Sequence, residues 1–188
     1  MPATGMKNRI VLAAVALGAF VLDQSSKMVV QSSFRLGESR SVIGDLVRFT
    51  YIVNPNGLMG ISFGPWARYL MLPLSLLAIT AIIYYYYNWK NPGTLSTAAL
   101  GLILAGAAGN FLDRFRFGTV VDFIDCDIPD IAIPPFNAAG VHFPGFFLDR
   151  WYIFNVADSA VLCGVAILLA MTAFSTERPP DGAPVASE

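Results

Sequence analysis

Four stretches of this chain, at residues 10–30, 67–87, 95–113 and 152–174, are apolar over almost their whole length. A helix needs about 20 such residues to cross the hydrocarbon of a bilayer. Inside lipid the backbone must satisfy its own polar groups, so segments of this kind form helices or they do not insert. The chain is 55% hydrophobic and 13% charged, roughly half the charge of a soluble domain. We expect one integral membrane domain over residues 1–174 and a disordered tail over 175–188, a stretch rich in Pro, Glu and Asp. The net charge of −1 gives no basic footprint for nucleic acid. The first apolar stretch follows Lys7 and Arg9 as a leader peptide would. Asp23 and Lys27 interrupt it, however, and no small-residue cleavage site follows, so it reads as a retained first span.

The connections differ in character. Asn91-Pro92-Gly93 is a tight turn between the second and third spans. The first connection, 31–66, carries a β-branched and aromatic run at 46–53 that predicts a strand, followed by the turn signal Asn54-Pro55-Asn56-Gly57. A small sheet on the membrane surface is the expected form. The second long connection, 125–150, holds Pro129, Pro134, Pro135 and Pro144 and cannot be one regular helix. It is expected as an extended lid loop before the last helix. Four spans put both long connections on one side. A plain count of Lys and Arg places that side inside the cell, because Arg35, Arg40, Arg48, Arg68, Arg114, Arg116 and Arg150 outnumber Lys7, Arg9, Lys90 and Arg178.

Ionisable groups beside or inside hydrocarbon are expensive and so are candidates for function. Asn110, Asp113 and Arg114 follow one another at i, i+3 and i+4 and share a helix face. Asp122 sits inside the apolar run Val120-Val121-Asp122-Phe123-Ile124. Asn155 and Asp158 open the last apolar stretch one turn apart. Asp23 and Lys27 are one turn apart in the first span, where they read either as a neutralising ion pair or as a support close to a substrate. Two carboxylates meeting at a membrane surface can share a proton and activate water, which makes Asp122 and Asp158 an aspartyl protease pair. Asp125, Asp127 and Asp130 read as a solvated acidic patch. Gly101, Ala105 and Gly109, four apart, let helices approach closely. Cys126 and Cys163 form no disulfide framework, and His142 has no second histidine or nearby cysteine to make a zinc site. No metal and no cofactor are expected. Two rivals remain. Ser25 or Ser26 with Lys27 would be a Ser–Lys dyad, but neither serine shares the lysine's helix face well. A small transporter or proton relay would also bury acids, but would not need an acid such as Asp122 in a surface connection.

Gly109-Asn110-x-x-Asp113-Arg114, then Val120-Val121-Asp122-Phe123, then Phe154-Asn155-x-Ala157-Asp158-Ser159, with Asp23-x-x-x-Lys27 ahead of them, closely resemble the lipoprotein signal peptidases (type II signal peptidases) over nearly the whole chain. The resemblance implies an aspartyl endopeptidase of the bacterial inner membrane that removes signal peptides from diacylglyceryl-modified prolipoproteins, with Asp122 and Asp158 as the catalytic dyad. Asn110, Arg114 and Asn155 would line the site and position the peptide, supported by Asp23 and Lys27. The implied orientation has both termini in the cytoplasm and the site on the outer side, against the Lys and Arg count. The partners implied are lipid-modified prolipoproteins and membrane lipids, with the enzyme a monomer. An inactive relative acting as a binding module would carry the same motifs. Two departures stand out. Gly60-Ile61-Ser62-Phe63-Gly64 matches the second half of the family's Asn-x-Gly-Ala-Ala-Phe-type motif, but Leu58 stands where the Asn belongs, leaving Asn54 or Asn56 to replace it. The segment between the two acids is also longer than is usual in the family.

Overall fold

The computed structural model describes residues 5–55, 66–138 and 140–174. The expected replacement residue Asn56, the 60–64 motif and the 175–188 tail lie outside them. Among the described residues four helices are long and apolar enough to cross a membrane: α1 (Met6–Ser33), α2 (Ala67–Asn88), α3 (Thr94–Phe117) and α4 (Val156–Ala173). Their outer faces are leucine-rich and exposed, as at Leu17, Leu22, Leu162 and Leu169, which is how a lipid-facing surface reads. The turn between α2 and α3 carries Asn91 at positive φ, and Asn8 at the start of α1 donates to the Pro92 carbonyl at 2.6 Å. The α2–α3 turn and the start of α1 therefore lie at one end of the bundle.

α3 is the central helix, packed on α1, α2 and α4. Its small residues allow this. A Cβ added at Gly106 would lie 2.2 Å from the Ala157 carbonyl oxygen, and one at Gly109 would lie 2.5 Å from Asp23 Oδ2. Both distances are shorter than any contact a methyl group tolerates, so α1 and α4 reach the polar groups of α3 only because these side chains are absent. Gly118, with φ 74°, ends α3 by donating its amide to the Arg114 carbonyl, a left-handed cap that suits glycine. The chain then turns directly into a strand.

The expected strand is present one residue later, as β2 (Val47–Asn54), paired with β1 (Ser39–Ile43). The second connection, however, is not a loop. It forms β3 (Val120–Ile133), β4 (Phe136–Ala138), β5 (Val141–Phe143) and β6 (Phe146–Arg150), and one antiparallel sheet runs β1-β2-β3-β6. The prolines that exclude a helix are accommodated at irregularities. Pro129 falls where the β3–β6 register shifts, between Asp127 and Ile131, a place where a missing N–H breaks no ladder bond. Pro134, Pro135 and Pro144 fall between strands. Among the described residues β4 and β5 pair only with each other, as a hairpin carried by β3 and β6.

The sheet lies against the end of the bundle opposite the α2–α3 turn. Val120, Val121, Asp122 and Phe123 are all buried, the opening of a strand covered on both faces. Phe123 stacks edge-on against Phe49 of β2. A short bridge then ties β3 to the residue before the N-cap of α4: Ile124 and Phe154 exchange backbone hydrogen bonds at 2.7 and 3.0 Å. Asn155 and Asp158 are thereby brought beside Asp122.

Candidate active site

Asp122 enters from β3 and Asp158 from the first turn of α4. Two asparagines join them. Asn155 donates through Nδ2 to Asp122 Oδ1 at 2.7 Å, and Asn110 on α3 donates to Asp158 Oδ1 at 2.7 Å. The asparagines are linked to each other, Asn155 Nδ2 lying 3.1 Å from Asn110 Oδ1. Asn54, at the end of β2, donates to Asp122 Oδ2 at 2.9 Å. Of the two candidates to replace the missing loop asparagine, it is the one that falls within the described residues, and it reaches the acid.

Asn155 is also the N-cap of α4. Its side chain accepts from the Asp158 amide while the Asp158 carboxylate accepts from the Asn155 amide at 3.2 Å, a reciprocal capping box. The first turn of a helix favours negative charge, so the fold places Asp158 where a carboxylate is well held. Asp122 has a different environment. Burial, and next the charge of Asp158, push its carboxyl up to about 7, against the hydrogen bonds from Asn54 and Asn155. Two acids this close titrate as a unit.

Behind the pair lies a second polar layer. The Lys27 ammonium meets three oxygens: Asp113 Oδ2 at 2.8 Å, Asp23 Oδ2 at 2.9 Å and Asn110 Oδ1 at 3.2 Å. Asp23 accepts the Ala157 amide at 2.9 Å and so holds the start of α4. Asp113 accepts the Val121 amide at 3.3 Å and so holds the start of β3. Gln24 donates to both acids, at 3.0 and 3.2 Å. Asp23 and Lys27 are 1% and 2% exposed, so this geometry gives them no surface to offer a substrate and favours the supporting role over direct contact. Arg114 sits at the margin. It reaches Ser75 of α2 and its own helix carbonyl at Asn110 by long contacts of 3.5 and 3.4 Å, both through Nη1.

Sequence reasoning left out Gln24, which no spacing rule marks, and gave Asp113 no role of its own although its spacing set it on one helix face with Asn110 and Arg114. It also misread Asp125. That carboxylate is buried, accepting from Arg150 Nε at 2.9 Å and from the Thr50 hydroxyl at 2.9 Å, so it ties β2, β3 and β6 together. The alternation of a strand carries it to the buried side shared by Val121 and Phe123, a signal available in the sequence. Among the described residues no three His, Cys, Asp or Glu side chains are grouped as metal ligands.

Four membrane-length helices with a carboxylate pair fixed at one end make an integral membrane protein with the chemical parts of a peptidase. The sequence model of the family described as Signal peptidase (SPase) II matches residues 15–174. The lipoprotein signal peptidase of Halothermothrix orenii is 34% identical over 155 residues, covering 82% of this chain and 90% of that protein. That of Syntrophomonas wolfei is 34% identical over 159 residues, covering 84% and 89%. A solved structure described as a bacterial membrane enzyme, determined by the in meso method, matches with a TM-score of 0.69 at 27% identity, covering 89% of this chain and 93% of that one. The chain belongs to the signal peptidase II family, a family of membrane peptidases.

Proposed function

We propose that this protein removes signal peptides from diacylglyceryl-modified prolipoproteins, cutting before the lipidated cysteine with Asp122 and Asp158 as its catalytic dyad. The observation that carries the reading is the joined pair itself, two carboxylates from different elements linked through Asn110 and Asn155, one of them holding a proton near neutral pH. Ionised Asp158 takes a proton from water as the water oxygen bonds to the scissile carbonyl carbon. Protonated Asp122 donates to the developing oxyanion. When the tetrahedral centre collapses, the C–N bond breaks and the leaving amine takes the proton gained by Asp158. Arg114, with Nε and Nη2 not engaged by the contacts above, holds a peptide carbonyl, and Asn54 steadies Asp122. Asp23 and Lys27 hold α4 and β3 in register. Residues 1–174 act as one domain, and as a monomer, since one chain supplies every group. The setting is the bacterial inner membrane, with both termini in the cytoplasm and the dyad at the outer face, where a lipid-anchored signal helix presents its cleavage point.

The test is cleavage of a diacylglyceryl-modified prolipoprotein by the purified enzyme, beside the unmodified precursor. Asp122→Asn and Asp158→Asn keep the size but cannot exchange a proton. Each should lower turnover by roughly 10⁴-fold, and the double variant should be little worse than either single one because the acids act together. Ser159→Ala, beside the dyad, should retain most activity. Substantial turnover by either dyad variant at matched protein levels, or its complete loss in Ser159→Ala, refutes the assignment.

A further inference from the structure

We propose that the β4–β5 hairpin, with the ends of β3 and β6 that carry it, is an interfacial anchor that inserts into the lipid bilayer beside the helices. Residues 131–148 contain no Asp, Glu, Lys or Arg, and the described residues from 131 to 147 are all exposed. Ile133, Phe136, Val141, Phe143, Phe146 and Phe147 together present a continuous apolar surface that no other element of the chain covers among the described residues. A monomer in water rarely exposes such a patch.

Both faces of the ribbon are apolar. Ile133 pairs with Phe146 towards one side, and Ala132 with Phe147 towards the other. A protein partner usually covers one face of a strand pair, whereas lipid surrounds an inserted element. The stretch is also bounded by charge, with Asp127 and Asp130 before it and Asp149 and Arg150 after it, an uncharged tip on a polar base.

The depth follows from the backbone. A two-stranded hairpin has two open edges, and unpaired backbone groups are not tolerated in the hydrocarbon core. Insertion therefore stops in the headgroup and upper acyl region, about 5–10 Å deep, close to the ~10 Å length of a three-residue strand. His142 and Asn137, paired side chain to side chain at 2.8 Å, keep their polar groups satisfied there. With no lysine or arginine in the tip, attachment does not depend on anionic lipid.

The experiment uses the full chain in nanodiscs holding one copy, with Cys126 and Cys163 replaced by serine and a bimane label placed at Val141→Cys or at Asp149→Cys. Lipids carry a nitroxide either near the ester carbonyl or at the end of the acyl chain. We expect the Val141 label to be quenched several-fold more than the Asp149 label, more by the shallow nitroxide than by the deep one, and equally in phosphatidylcholine with and without phosphatidylglycerol. Adding Phe143→Ser should reduce quenching at Val141 without lowering the melting temperature of the spans. Quenching at Val141 no greater than at Asp149, quenching only with anionic lipid, or cross-linking of the Val141 position to a second copy in proteoliposomes would each overturn the anchor. The readout is lipid contact, so failure here leaves the catalytic reading untouched.

Discussion

Lys27 shows how single residues set this site. Its ammonium has three protons and three oxygens to receive them, on Asp23, Asp113 and Asn110, so a charge buried beside the membrane is fully satisfied. Removing one partner of such a cluster typically costs 3–5 kcal/mol, because the remaining charge is left uncompensated. Asp122 shows the opposite strategy, since its burial favours the proton. Its carboxyl titrates near 7, against ~3.9 in an unfolded chain. The sign follows directly. The stability this acid contributes is fully present below ~3.9 and is lost as pH rises through about 7, where the folded state must bury a charge. In the proposed mechanism activity needs the same proton, so kcat/KM should fall as pH rises through about 7. Asn54 donates to the ionised carboxylate and holds the value down, so Asn54→Ala should move this alkaline limb to higher pH. A limb that stays in place or moves down in pH–rate profiles would contradict the role assigned to Asn54. Asp122→Asn should flatten the pH dependence of the melting temperature over the same range. Asp122 was legible in the sequence because an acid amid β-branched and aromatic neighbours has no solvated alternative. Asp125 was misread because it was grouped with Asp127 and Asp130 as loop residues, whereas it continues the buried face of Val121 and Phe123 along β3.

At the scale of elements, the four spans were legible from length and hydropathy alone, because lipid removes the alternatives to a helix. β2 was legible from its β-branched and aromatic run. The strands of 125–150 were not, since prolines exclude a helix without excluding strands that place them at shifts of register and bends. The junction between α3 and its neighbours was visible only as a stripe of small residues, and the structure adds what they approach. A methyl group at Gly109 would meet Asp23 Oδ2 at 2.5 Å and the Ala157 Cβ at 3.3 Å. Relieving that clash moves the carboxylate that holds the Ala157 amide, and with it the turn carrying Asp158. Gly109→Ala should therefore cost about 1–3 kcal/mol and reduce turnover further than that loss of stability explains. Gly18→Ala on α1 is the matched control. Nothing lies within 4 Å of its added Cβ, so the change should be neutral or slightly stabilising, since alanine is the better helix former. Thermal unfolding in detergent, read beside cleavage at matched folded protein, separates the two. Equal behaviour of the two variants would mean that the α1–α3–α4 contact does not position the dyad.

For the whole molecule the open quantity is direction. An even number of spans puts both ends of the chain on one side and the sheet with its carboxylate pair on the other, but helices alone do not say which side is out. The Lys and Arg count favours the sheet side inside, and the family resemblance favours it outside. The structure supplies a reason to weigh the count lightly. Arg40 is paired with Glu38, Arg48 with Asp45, and Arg150 with Asp125 and Asp127, while Arg114 lies at the margin of the dyad. These arginines are parts of a folded sheet and a site, whereas the rule reads short flexible loops beside the spans. Fusions at two points decide the matter. Gly140, in the turn between β4 and β5, has open space around an added Cβ, so a reporter inserted there should leave the sheet intact, and a second reporter follows Glu188. Alkaline phosphatase should be active from Gly140 and inactive after Glu188, and a fluorescent protein that matures only in the cytoplasm should give the reverse. The same compartment at both points would overturn the four-span arrangement. Exchanged compartments would keep the fold but put the dyad in the cytoplasm, where a precursor whose cleavage point emerges on the outer face could not reach it.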